Sequence, residues 1–461
     1  MGALQWGGRF SAAPDRELLS FASSLSDDLV LARYDVQCSL GHVEALVGGG
    51  IVSKVEAQLL RRSLHLVLDE IASGAFEQLA RSSSAEDVHG LIDERVRELA
   101  GPAGERLHAG RSRNDQVATT LLLYAHDRGL LFAEMAENIA AILTGRAADE
   151  LEAETMLAGA THWQPAQPVL LAFVLAAWAE PFVRAAQRFA AVAESATASC
   201  PLGSGALSGS TLPLDRQAAA AALGFRAPSR NALDAVGNRD AILDLAHAGV
   251  RAAVDASRIA EELVLWTAPA FGYARLGDAA STGSSLMPQK RNPDPFELVR
   301  ARAAKLTGLY AGALATMCGL ATSYHRDLQE TKAAAIAVVE EALGVLSAFA
   351  RAWRSVSFDR DRMSERAELG FTVATDVADA LIADGVTART AHAAVGAAVA
   401  RAEEEGRALG AADLARIAQD SGLRGVRAPL GARESIAAKR TAGSTAPAEV
   451  RKHLTALRAR A

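Results

Sequence analysis

The chain has 461 residues, enough for two or three domains or one elongated helical body. Half of the residues are hydrophobic and only 5% aromatic; Ala, Leu, Glu and Arg, all strong helix formers, recur throughout, which disfavours sheet architectures. A net charge of −6 argues against a nucleic-acid surface built on bulk positive charge, and the three dispersed cysteines, Cys38, Cys200 and Cys318, show no metal-ligand spacing.

The expectation is an all-α protein. The N-terminus lacks the apolar core of a secretory signal, and the most apolar run, 169–179, is too short to span a bilayer. A soluble cytoplasmic protein is therefore expected, with no nucleic-acid or membrane partner. Residues 1–112 hold helical stretches broken by Gly and Ser. The stretches 27–46 and 53–71 are amphipathic, Gly48-Gly49-Gly50 separates them, and Ser53 stands as an N-cap.

Five long helical runs follow, over about 114–148, 167–195, 239–268, 294–318 and 327–355. In the first, Val117, Leu121, Tyr124, Leu131, Met135, Ile139 and Ile142 recur at helical spacing. The second is apolar nearly all round, as a helix buried on every side would be, and Pro181 should bend it. Runs of this length predict a long bundle, and the all-round apolar faces predict burial against other subunits. From 362 the helices shorten again, with Gly370, Gly385, Gly406 and Gly410 as breaks, and predict a third small helical domain over 362–461.

Four polar clusters interrupt the helical sequence. The loop Gly283-Ser284-Ser285-Leu286-Met287-Pro288-Gln289-Lys290-Arg291-Asn292-Pro293 combines free backbone N–H groups, hydroxyls and a cation. Those parts can hold a carboxylate and stabilise charge developing on one. Its prolines pin one end, with Asn292 as an N-cap and Pro293 at the first helical position, so the segment reads as a lid. Thr161-His162 precedes the second run; a carboxylate such as Glu297 would be needed to orient the imidazole. Arg111 and Arg113, within Gly110-Arg111-Ser112-Arg113-Asn114-Asp115-Gln116, can clamp a carboxylate. Tyr324, Gln329 and Lys332 lie near one side of a helix start. Glu86-Asp87-Val88-His89 reads alone as an ordinary polar turn. Each cluster by itself also fits a solvated loop or capped helix start.

Together these segments resemble the fumarase/aspartase superfamily and, within it, the argininosuccinate lyases. The loop from Gly283 to Pro293 matches the superfamily signature. The narrower resemblance rests on Gly110 to Gln116, Thr161-His162, Trp6-Gly7-Gly8-Arg9-Phe10 and Ser444-Thr445-Ala446-Pro447, in the expected order along nearly the whole chain. It implies three helical domains, 1–112, 113–361 and 362–461, with a central five-helix bundle that forms a homotetramer. Active sites would be shared between subunits, and the catalytic loop would span 276–293.

The implied reaction is reversible β-elimination of argininosuccinate to arginine and fumarate, without metal or other cofactor. Ser284 would be the general base, His162 the acid side with Glu297 as its charge partner, and Lys290 the stabiliser of the aci-carboxylate. Ser24, His89, Arg111, Asn114, Thr161, Tyr324, Gln329 and Lys332 would contact substrate. Two departures stand out: Arg291 replaces a commoner lysine, and Gly90-Leu91-Ile92-Asp93-Glu94 differs from the usual run after His89. Other lyases of the superfamily, and non-catalytic crystallin-like relatives, are the alternatives. Gly110 to Gln116 argues against the first, and intact Ser284, Lys290, His162 and Glu297 against the second.

Overall fold

The structure, a computed structural model, describes residues 15–460. The motif Trp6 to Phe10 lies outside the described residues. The chain gathers into two compact units. One holds the residues up to 132 with 188–250 and 305–342; the other holds 133–187, 251–304 and 343 onward.

Mostly helical structure follows from the composition. Early in the chain come α1 (Ala32–Gly48), α2 (Lys54–Ser73) and α3 (Val88–Ala100). Ser53 caps α2 in a reciprocal capping box: its hydroxyl accepts from Glu56 N, and Glu56 accepts from Ser53 N. Asp87 caps α3 by accepting from Gly90 N at 2.7 Å.

The long helices are α4 (Arg113–Glu152), α5 (Leu171–Ala196), α6 (Asp240–Thr267), α7 (Asp294–Ala315) and α8 (Leu328–Trp353). All five match the expected runs to within four residues at each end, and only the first residues of the second run take another structure. Residues 156–170 form a hairpin, β1 (Met156–Thr161) against β2 (Gln164–Leu170), and α5 starts only at Leu171. Pro165 and Pro168 bar a helix here, since each lacks an N–H and clashes with the preceding turn. Pro181 does not interrupt α5. A second short pair joins β3 (Ala274–Leu276) to β4 (Val356–Phe358), so helices are accompanied by two small antiparallel ribbons.

In the first unit, the Tyr34 ring meets Tyr124 edge-on at 5.6 Å and Phe132 stacks on Phe189 at 4.5 Å. In the second, Trp178 packs against both Trp266 and Trp353, and Phe349 packs on Phe182 and Phe296. The helices α9 (Ala374–Ala383), α10 (Ala388–Glu404) and α11 (Ala411–Asp420) share a local core of Val377, Leu381, Val395, Leu414 and Ile417. The motif near the C-terminus has a structural partner: Thr445 Oγ1 accepts from Leu170 N at 2.8 Å, at the base of the hairpin.

Helix α8 is long and apolar enough to cross a membrane by length and composition. It starts with a buried lysine, Lys332, and carries Phe349 in an aromatic core, as a core helix does.

Candidate active site

The candidate residues fall into two groups, one in each unit. In the first, four segments distant in sequence converge. Ser24 is buried, its N–H donating to Glu86 O at 2.9 Å and its hydroxyl to Asp28 Oδ2 at 2.6 Å. Lys332 Nζ reaches Asp28 Oδ1 at 2.5 Å and Ser24 Oγ at 3.5 Å. Gln329 Nε2 and Arg326 both donate to Ala22 O, and Arg326 pairs with Glu86. Tyr324 is half-buried, and burial pushes its phenol above the ordinary range.

His89 is fully buried in α3, its Nδ1 2.7 Å from Asp35 Oδ1. The same oxygen accepts from Gln116 Nε2 at 2.7 Å and Thr120 Oγ1 at 3.3 Å. Burial would raise the Asp35 carboxyl, but His89, Arg111 and Arg113 outweigh it and hold it at about 2. As a carboxylate it can only accept, so His89 Nδ1 carries the proton and Nε2, buried without a partner, is left for another group. Asp87 is likewise lowered: burial opposes ionisation, while His89 and Arg113 favour it.

The two arginines after Gly110 are already engaged. Arg111 is buried and donates from Nη1 to Ser39 Oγ at 2.9 Å; Arg113 lies 3.3 Å from Asp87 Oδ2 and donates to Gln116 Oε1. Asn114 Nδ2 donates to Ala206 O at 3.1 Å. Asp115 is fully buried and accepts from Ser112 N, Gly203 N and Gly205 N, each at 2.9 Å. Burial nevertheless pushes its carboxyl up to about 6.

The second group begins at the hairpin tip. His162 and Trp163 link β1 to β2 with φ of +53° and +59°. A two-residue turn with both φ positive suits Asn-Gly, so a His-Trp pair holds backbone strain. Thr161 and His162 are exposed. They line a cavity of about 950 Å³ that Trp178, Trp266 and Tyr273 also border.

The signature loop is closed at its base, where Thr282 and Asn292 exchange backbone hydrogen bonds at 2.9 and 3.2 Å. Arg291 anchors it to Asp278 and Leu276 O. Within the loop, Ser284 Oγ accepts from Leu286 N at 3.2 Å and from Met287 N at 3.0 Å. Two N–H dipoles aimed at one hydroxyl oxygen favour negative charge on it. Lys290 is exposed on the same loop. Helix α7 starts at Asp294, as the expected run does, but Asn292 is not its cap. Pro293 O accepts from Phe296 N, so Pro293 takes the cap position, and the Asn292 side chain donates instead to Thr282 Oγ1. Glu297 is exposed in the first turn of α7, within electrostatic reach of Arg300; among the described residues it makes no hydrogen bond to His162.

Sequence reasoning missed Asp28 and Asp35 as parts of the first group. Their signal was available: two acidic residues spaced by seven, two helical turns, facing inward within an apolar stretch.

Comparison with known proteins bears on the whole chain. A family described as lyase matches residues 8–308, and one described as argininosuccinate lyase C-terminal matches residues 371–437. The argininosuccinate lyase of Acidothermus cellulolyticus is 40% identical over 98% of this chain and 93% of its own length. The chain belongs to the argininosuccinate lyase family. The argininosuccinate lyase of Mycolicibacterium vanbaalenii is 42% identical over 98% of this chain and 96% of its own. Among solved structures, an EDDS lyase in complex with formate superposes with a TM-score of 0.80, at 24% identity, over 98% of this chain and 90% of its own. The 3-carboxy-cis,cis-muconate lactonizing enzyme of Pseudomonas putida gives 0.72 at 18%, over 97% of this chain and 100% of its own. Both share the fold of this family.

Proposed function

We propose that the chain cleaves argininosuccinate to arginine and fumarate, as a step of arginine biosynthesis in the cytoplasm. The observation that carries the chemistry is the Ser284 hydroxyl with two backbone N–H groups directed at its oxygen. A serine is a weak base unless its oxyanion is stabilised, and this arrangement supplies that stabilisation.

Ser284 removes the Cβ proton of the succinyl moiety. The electron pair moves into the neighbouring carboxylate to form the aci-carboxylate, whose added charge Lys290 balances. The pair then returns to form the carbon–carbon double bond of fumarate as the C–N bond breaks. The guanidine nitrogen leaves with a proton delivered from the His162 side, giving arginine. Glu297 supports the His162 charge. Ser24, His89, Arg111, Asn114, Thr161, Tyr324, Gln329 and Lys332 hold the substrate.

The organisation that fits this chemistry is a homotetramer built on the bundle 113–361, between a domain of residues 1–112 and one of 362–461. Each site then takes the Ser284 loop and the hairpin tip from different subunits than the cluster around Lys332. Mixing inactive His162→Asn and Asn114→Ala proteins under subunit exchange is expected to restore part of the activity. No recovery from mixed tetramers would remove the shared site.

A further inference from the structure

The loop between α5 and α6 is tied to the candidate substrate-binding segment by one carboxylate. Asp115 accepts from Gly203 N and Gly205 N through one oxygen and from Ser112 N through the other. A buried carboxylate with three N–H donors is a strong fastening, because each bond is charge-assisted and shielded from water. The neighbouring Asn114 side chain is part of the same join, donating Nδ2 to Ala206 O at 3.1 Å. With one Nδ2 hydrogen committed, the second hydrogen and Oδ1 are left to meet a ligand in a fixed orientation.

The loop is shaped for this attachment. Gly203 and Gly205 take φ of +84° and +61°. A Cβ at Gly205 would lie 2.7 Å from Gly209 O. Arg216 fixes the other side, donating to Leu202 O at 3.0 Å and to Ser204 Oγ at 3.1 Å. Gly110 closes the contact from the substrate-binding segment, with Ser210 and Leu212 beside it.

We propose that Asp115 is a positioning residue, fixing the loop 203–206 so that Ala206 O orients the Asn114 amide for substrate. The proposal rests on the assignment of Asn114 to substrate binding. Asp115 itself touches no substrate. An Asn side chain at 115 keeps the shape but loses the charge, and one of its two polar atoms can no longer accept, so the loop loosens and Asn114 loses its orientation.

The test is steady-state kinetics on argininosuccinate at pH 7.5 for the wild type, Asp115→Asn and Gly205→Ala, with hydrogen exchange of the Gly203 and Gly205 amides. Asp115→Asn is expected to raise KM about tenfold or more with kcat changed by less than about threefold, the pattern of lost ground-state binding. Faster exchange at the two glycines should accompany it. Gly205→Ala distorts the same loop, and with it the Gly205 N–H bond to Asp115, while keeping the Asp115 carboxylate, and should shift KM in the same direction. An inactive wild type would overturn the assigned reaction rather than this proposal. An active wild type, with KM unchanged in both variants despite faster exchange or a lower melting temperature, would make Asp115 purely structural.

Discussion

Lys332 Nζ and Asp28 Oδ1 stand 2.5 Å apart with both side chains buried, and Ser24 completes the cluster by donating to the other Asp28 oxygen. The pair joins the start of α8 to a segment some three hundred residues earlier. Two charges withdrawn from water compensate each other only while both are present.

Lys332→Met is therefore expected to strand a buried carboxylate and to destabilise the first unit by about 3–5 kcal/mol. Combining it with Asp28→Asn should recover most of that loss, since no uncompensated charge then remains. Denaturant midpoints of the two single variants and the double variant measure this directly. A Lys332→Met protein as stable as the wild type would show that the pair is not buried in solution.

Replacement of His162 by Asn separates chemistry from folding. Asn tolerates positive φ better than His, so the hairpin tip should be at least as stable as before. Turnover should nevertheless fall by roughly 10²-fold or more, the usual scale for a lost general acid. Thermal melting and kcat on the same preparation check both halves. A kcat near the wild-type value would leave His162 a structural residue.

Asp35 sets a limit on acid stability. Its carboxyl lies at about 2 in the fold against an ordinary 3.8, so the folded state favours the ionised form. The sign follows: its contribution is complete above about 3.8 and is lost as the pH falls toward 2. Asp35→Asn should flatten that part of the acid-denaturation curve while lowering stability at neutral pH, because the acceptor shared by His89, Gln116 and Thr120 loses its negative charge. A variant whose stability falls between pH 4 and 2 as steeply as the wild type would contradict the assignment.

Much of the fold was legible in the sequence because apolar spacing marks long helices strongly. Val117 to Ile142 gave one face of α4, and Asp294 and Glu297 marked the first turn of α7. The hairpin 156–170 was hidden because its second strand continues straight into the apolar run of α5, where periodicity cannot tell strand from helix; Pro165 and Pro168 were the warning. At the candidate site, the polar clusters were visible as breaks in helical pattern. Their partners were not, since Asp28 with Lys332, or Asp35 with His89, become pairs only through tertiary approach. Nor does spacing disclose that Arg111 turns inward to Ser39.

Conversion of argininosuccinate by the purified protein, followed through the ultraviolet absorbance of fumarate with Ser284→Ala assayed beside it, tests the central claim most directly. Fumarate and arginine should appear in equal amounts from the wild type. The Ser284→Ala protein should melt at nearly the same temperature and produce none, since the hydroxyl's hydrogen bonds run only to its own loop. No fumarate from a folded wild type would contradict the assigned reaction and direct the search to aspartate, malate and adenylosuccinate. Fumarate from Ser284→Ala at the wild-type rate would leave the reaction standing and remove the serine as its base.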